Sequence, residues 1–199
     1  MSRILRDFGG EVMKVNKIKL KRLGVISILV FGFLFITGYR LTGIQAAKAH
    51  SEIGREAQLL GYERYDWGNI YIFNTSKGYR TAISQRFGFL WRAKNAFYMY
   101  ENSDLIKTIG WGSNEKATLY ALEVTDEKVA YIEIGTGRDK IRKNVSDGSP
   151  IIFSWNKPIR WNDFNGIAYS KDGEQIYEYR YPKDTNNLNH QDLRWYPIR

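Results

Sequence analysis

One unbroken apolar run, Leu23-Gly-Val-Ile-Ser-Ile-Leu-Val-Phe-Gly-Phe-Leu-Phe-Ile-Thr-Gly-Tyr39, constrains this chain more than any other stretch. It holds no charge, and charges crowd both its ends. As a helix it spans roughly 25 Å, near the short limit for a hydrocarbon layer of about 30 Å. Leu41 and Ile44 lengthen it if Arg40 snorkels outward. Before the run stand Arg3, Arg6, Lys14, Lys17, Lys19, Lys21 and Arg22, against Asp7 and Glu11. After it, Arg40, Lys48 and Arg55 are mixed with Glu52 and Glu56. This bias of positive charge predicts a cytoplasmic N-terminus and an outer C-terminal domain. The expectation is a basic cytoplasmic tail over 1–22 and a single-pass transmembrane helix, or uncleaved signal anchor, over 23–40. Leu23 to Tyr39 would then sit in the lipid bilayer of the cell membrane. A buried core helix is set aside, because charge clusters do not abut core helices in this way. The alternative is secretion after signal-peptide cleavage near Ala49, where Gln45-Ala46-Ala47 and Ala47-Lys48-Ala49 supply small residues. Against it, about ten residues, Arg40 among them, separate the run from Ala49.

The charge balance bears on function once it is divided. The chain carries 30 Lys+Arg and 21 Asp+Glu, a net +9. Residues 1–49 hold 9 basic and 2 acidic side chains, and residues 50–199 hold 21 and 19. The basicity belongs to the flanks of the apolar run, and no nucleic-acid footprint remains. With no cysteine, neither a disulfide scaffold nor a lipid-modified cysteine is available. In an exported domain this fits a Gram-positive bacterial source. The sequons at Asn74 and Asn144 are then chance matches.

Leu41 to Leu60 reads as helix, a stalk over 41–61 stopped by Gly61. From residue 62 to 199 the pattern is short strands between turns, one extracytoplasmic β domain. Asn69–Asn74 and Tyr79–Phe87 flank a loop ending in Gly78; Leu90–Tyr100 alternates; Leu105–Trp111 and Lys116–Val124 follow. Val129–Gly135 leads through Gly135-Thr-Gly137-Arg138 to Lys140–Val145. Asp147-Gly148 turns into Pro150–Trp155, and Lys171-Asp172-Gly173 joins Gly166–Ser170 to Glu174–Tyr181. Asp-Gly between apolar runs is a strong hairpin signal. The tail after Pro182 is polar, with Trp195 and Ile198 set to dock on the domain. The fold class is mainly β: an N-terminal transmembrane helix and stalk, then one antiparallel β-sandwich or partly closed barrel.

The segment "VAYIEI…GSPIIFSW…GIAYSKDGEQIYEY" resembles the strand order of small immunoglobulin-like sandwiches on bacterial surface proteins. The whole chain is similar to uncharacterised single-pass exported proteins of Gram-positive bacteria, through "GYRLTGIQAAKAH", "GFLWRA", "IRWNDFNGIAYSKDG" and "YPKDTN". The likeness implies location and fold, and no activity.

Chemistry-bearing constellations are sparse. His50 and His190 stand far apart and outside any ligand-spaced pair, so no metal or other cofactor is expected. Asp184-Thr-Asn186-Asn187 reads as a plain turn. There is no nucleophile elbow and no Ser-x-x-Lys. Gly135-Thr-Gly137 lacks the Gly-Lys-Ser/Thr ending and a following helix, so it is a hairpin turn rather than a phosphate loop. Glu174 and Glu178 share a strand face, and Asp163 sits between Trp161 and Phe164, but nothing fixes the spacing that a glycosidase needs. Trp91, Phe97, Trp111, Phe153 and Trp155 belong to the core. Trp161 and Asp163 sit in a loop, where they could meet a sugar or a peptide. Arg92, Lys94, Tyr98 and Tyr100 form a basic and aromatic ladder suited to an anionic polymer. The candidate ligand-binding residues are thus Trp161, Asp163, Arg92, Lys94 and Tyr98. The function expected is a non-catalytic binding module at the cell envelope, taking a cell-wall polymer, a peptide or a membrane-protein partner. The alternatives are an envelope hydrolase using carboxylates, and an accessory subunit whose anchor helix pairs with another membrane protein, although Gly24, Gly32 and Gly38 do not fall at four-residue spacing.

Overall fold

The computed structural model describes residues 17–146, 148–183 and 189–198. The tail before Lys17, Asp147 of the Asp147-Gly148 turn and the Asp184–Asn187 turn lie outside them. The chain divides between Thr37 and Gly38 into two compact units.

The first unit contains α1 (Lys17–Ile36), apolar on all sides beyond Arg22. No helix among the described residues is long and apolar enough to cross a membrane. The reason lies at both ends. The first six helical positions bring in Lys17, Lys19, Lys21 and Arg22. The uncharged part, Leu23 to Ile36, rises only about 21 Å. Thr37 and Gly38 then form a turn, with Gly38 at φ 90°. Arg40 leaves the helix altogether and pairs with Trp91 through two 2.8 Å backbone hydrogen bonds. The transmembrane helix and signal anchor over 23–40, the bilayer as partner of Leu23 to Tyr39, and the single-pass topology are corrected accordingly. The extracytoplasmic, cell-envelope and accessory-subunit roles rested on that span and fall with it.

The second unit is built on three antiparallel sheets. The first is a meander, β1 (Gln58–Tyr65), β2 (Gly68–Thr75), β3 (Gly78–Phe87) and β4 (Leu90–Tyr98), in that order. The chain enters a middle sheet as β5 (Ile106–Ser113) and β6 (Thr118–Val124), leaves it, and returns as β9 (Ile151–Trp155). Between β6 and β9 it forms the hairpin β7 (Tyr131–Thr136) and β8 (Asp139–Asn144) of a third sheet. β10 (Asn165–Tyr169), β11 (Gln175–Arg180) and β12 (Arg194–Pro197) complete that sheet in the order β12-β11-β10-β7-β8.

The middle sheet is covered on both faces. Leu119, Ala121 and Ile109 pack against Ile70, Ile72 and Ile83 of the first sheet. Tyr120, Leu122 and Phe153 pack against Ile132, Ile134 and Tyr179 of the third. This explains why β6 reads as a continuous apolar run, Leu119-Tyr-Ala-Leu122, instead of alternating. Gly112 lets the first sheet approach: a Cβ there would lie 2.8 Å from Thr81 Cγ2. A stack of three sheets replaces the two-sheet sandwich or barrel, and no immunoglobulin-like arrangement is supported.

The stalk is also corrected. Only α2 (Gly43–Lys48) is helical there, capped by Thr42, whose side chain accepts from the Gln45 N–H. It lies flat on the outer face of the first sheet, where Ala46 and Ala47 are buried and Ser84 Oγ donates to the Gly43 carbonyl at 2.9 Å. Gly43 is required by this approach, since a Cβ would meet the Tyr71 hydroxyl at 2.7 Å. Cleavage near Ala49 would strip α2 from that face, so secretion by this route is corrected as well. Leu59-Leu60-Gly61 belongs to β1, not to a helix end. Strands β2 to β11 fall within a few residues of their sequence-predicted positions, and β12 is a strand that the sequence pattern does not predict. Trp195 docks as expected, while the Ile198 side chain stays exposed.

Candidate binding site

The three sheets end side by side along β4, β5 and β12, and the edges do not close. A pocket of about 310 Å³ remains between them. β4 and the residues after it supply Phe97, Tyr98 and Tyr100; β5 supplies Trp111. The floor is Ile106, Tyr120 and Tyr179. His190 and Gln191, in a one-turn helix before β12, and Trp161 close the remaining side.

Trp161 is positioned by its neighbours. Ile159 and Phe164 are buried on either side of it. The Ile159 N–H donates to Thr118 Oγ1 at 2.8 Å, and the Phe164 ring lies 5.0 Å from those of Tyr120 and Trp155. Between these pins the chain makes one short turn, Trp161–Asp163, closed by the Asp163 N–H on the Arg160 carbonyl. The indole is left half-buried, edge-on to His190 at 5.0 Å.

Tyr98 and Tyr100 form the opposite rim, their rings edge-on at 5.2 Å and their hydroxyls 3.0 Å apart. The hydrogen bond between them, helped by Gln191, holds the Tyr100 phenol below its ordinary range and raises that of Tyr98. On the floor, burial pushes Tyr120 up to about 12 although its hydroxyl meets Thr108 Oγ1 at 2.7 Å. Arg194 brings the lining's formal charge, and Asp104 answers it at 3.1 Å.

Of the residues singled out in the sequence, Trp161 and Tyr98 meet in this pocket. Asp163 is exposed and lies outside the lining. Arg92 and Lys94 sit further back on β4, their cations over the rings of Tyr39 (5.3 Å) and Phe87 (5.4 Å). The ladder is therefore split between two places. Glu178 is engaged by Arg180 at 3.1 Å and Lys183 at 3.7 Å, Glu174 precedes β11, and neither lines this pocket. Tyr100, named in the sequence as part of the ladder, also lines the pocket, while His190 and Gln191 were missed as site residues. The docking of Trp195 was the available signal, since it carries the preceding turn to this edge.

A larger cleft of about 930 Å³ opens where β6 ends. Two of its three acids are engaged: Glu123 accepts from Tyr79 and pairs with Lys107, and Asp126 accepts from Tyr177 Oη at 2.7 Å, while Glu127 is exposed. The chain has no cysteine, and among the described residues no group of three His, Asp or Glu converges to hold a metal ion.

No protein-family model, no curated protein and no solved structure matches the chain. The likeness to single-pass exported proteins and to immunoglobulin-like sandwiches is without support on this side too.

Proposed function

We propose that the second unit is a non-catalytic binding module and that the pocket between β4, β5 and β12 is its ligand site. One observation carries this: three sheet edges leave an opening of about 310 Å³, within the range of small-ligand pockets, lined by aromatic side chains and a few polar tips. Such a lining offers apolar area at low entropic cost and fixed hydrogen-bonding points. Trp161 and Tyr98 are the residues on which binding rests. Asp163, Arg92 and Lys94 are not part of the proposal.

The test is a ligand-observed NMR screen of the full chain with small fragments of mixed chemistry. Hits should compete with one another and vanish in both Trp161→Ala and Tyr98→Ala, while both variants melt as the parent does. Hits that survive both substitutions, or a screen without any, would remove the site.

A further inference from the structure

Resting on that site, we infer that its guest is an uncharged aromatic ring of the phenol or indole kind, carrying a neutral polar substituent. Three edge-on ring pairs line the opening: Phe97 with Trp111 at 5.0 Å and 75°, Tyr98 with Tyr100 at 5.2 Å and 84°, and Trp161 with His190 at 5.0 Å and 68°. An edge-on pair presents one ring's face and another ring's edge to the same space. A flat guest with its own face and edge can extend that pattern, because ring edges are positive and ring faces negative. An aliphatic ring of equal size has neither.

Charge narrows the class. The charged lining side chain, Arg194, is held by Asp104 at 3.1 Å, and its guanidinium lies over the Tyr196 ring at 5.1 Å. An ionised guest would leave water for largely aromatic walls where the Arg194 charge is already paired with Asp104, which is costly. The rim is different. The hydroxyls of Tyr98 and Tyr100 and the amides of Gln191 and Asn102 are neutral donors and acceptors. They suit a hydroxyl or amide at the outer end of the guest. The volume, at the lower bound for ligand pockets, favours one ring system over a chain of them.

The experiment compares phenol and indole with cyclohexanol, glucose, benzoate and benzylamine on the full-length protein, by saturation-transfer NMR and by shifts of the Ile106 methyls at the pocket floor. Phenol and indole should bind and shift Ile106 by their ring currents. Cyclohexanol should bind several-fold more weakly, and the two charged benzene derivatives at least about tenfold more weakly than phenol. Trp161→Phe should keep phenol binding and Trp161→Ala should lose it. Equal binding of cyclohexanol or glucose would overturn the aromatic assignment while leaving the site standing. Equal binding of benzoate or benzylamine would overturn its neutrality in the same way. If other fragments bind the pocket but phenol and indole do not, the guest class alone is refuted. If nothing binds there, the site is refuted with it.

Discussion

The two faces of the middle sheet are packed by different chemistry. Toward the first sheet the contacts are aliphatic: Ile70, Ile72, Ile83, Ile109, Leu119 and Ala121. Gly110 and Gly112 bring the backbones close, and the layer seals. Toward the third sheet large rings, Tyr120, Phe153, Trp155, Phe164, Tyr179 and Trp195, are packed among aliphatic side chains such as Leu122, Ile132 and Ile134. Large flat rings bury much area but tile less evenly, and their polar tips need partners. Tyr120 finds Thr108; the indole N–H of Trp155 has no acceptor among the described residues. The aliphatic layer closes the fold. The aromatic layer holds it and, at the β5 edge, leaves room for a guest.

The largest effects should come from emptying either layer. Leu119→Ala should cost about 2–5 kcal/mol and Phe153→Ala about 3–5 kcal/mol, read from urea midpoints at unchanged slope. Costs below about 1 kcal/mol at either position would mean that the layers are loose.

The pH response should separate the layers, because only the aromatic one contains a fully buried phenol. Tyr120 keeps its proton up to about 12 in the fold, whereas an unfolded tyrosine releases it near 10. Stability from this source is whole below pH 10 and is lost as the pH rises toward 12, about 3 kcal/mol in all. Tyr120→Phe should therefore lose stability less steeply over that window, while Leu119→Ala keeps the parental slope. An unaltered slope in Tyr120→Phe would contradict the assignment.

A smaller effect is expected from overfilling the sealed side. Gly112→Val would push a side chain against Thr81 and Ile70 and should cost about 1–3 kcal/mol in thermal or urea unfolding. A neutral result would show that the first and middle sheets can separate.

Local signals in the sequence located most strands. Asp172-Gly173 turns β10 into β11 with Gly173 at φ 83°, and Gly137, at φ 53°, turns β7 into β8. Both depend on neighbours a few residues apart. Two misreadings came from extending one local pattern too far. The run Leu23 to Tyr39 reads as one helix, although Gly38 adopts a left-handed turn and Arg40 is claimed by Trp91. The stretch 41–61 reads as a helical stalk, although pairing with β2 makes Gln58 to Tyr65 a strand. The stacking of three sheets was hidden because β6 pairs with β9 across the intervening β7–β8 hairpin, and the continuous apolar stretch in β6 was its one trace. Of the site, Trp161 and Tyr98 were legible as aromatics on a loop and on a strand face. Their meeting with Tyr100 and His190 depends on the last strand joining the third sheet.

The most direct test of the division between a sealed layer and an open one is to measure melting and phenol binding together in Trp161→Ala and Leu119→Ala. The account predicts opposite losses: Trp161→Ala melts within a degree or two of the parent and no longer binds, while Leu119→Ala melts far lower and, below its transition, still binds. A large fall in melting temperature for Trp161→Ala with phenol binding intact would contradict it.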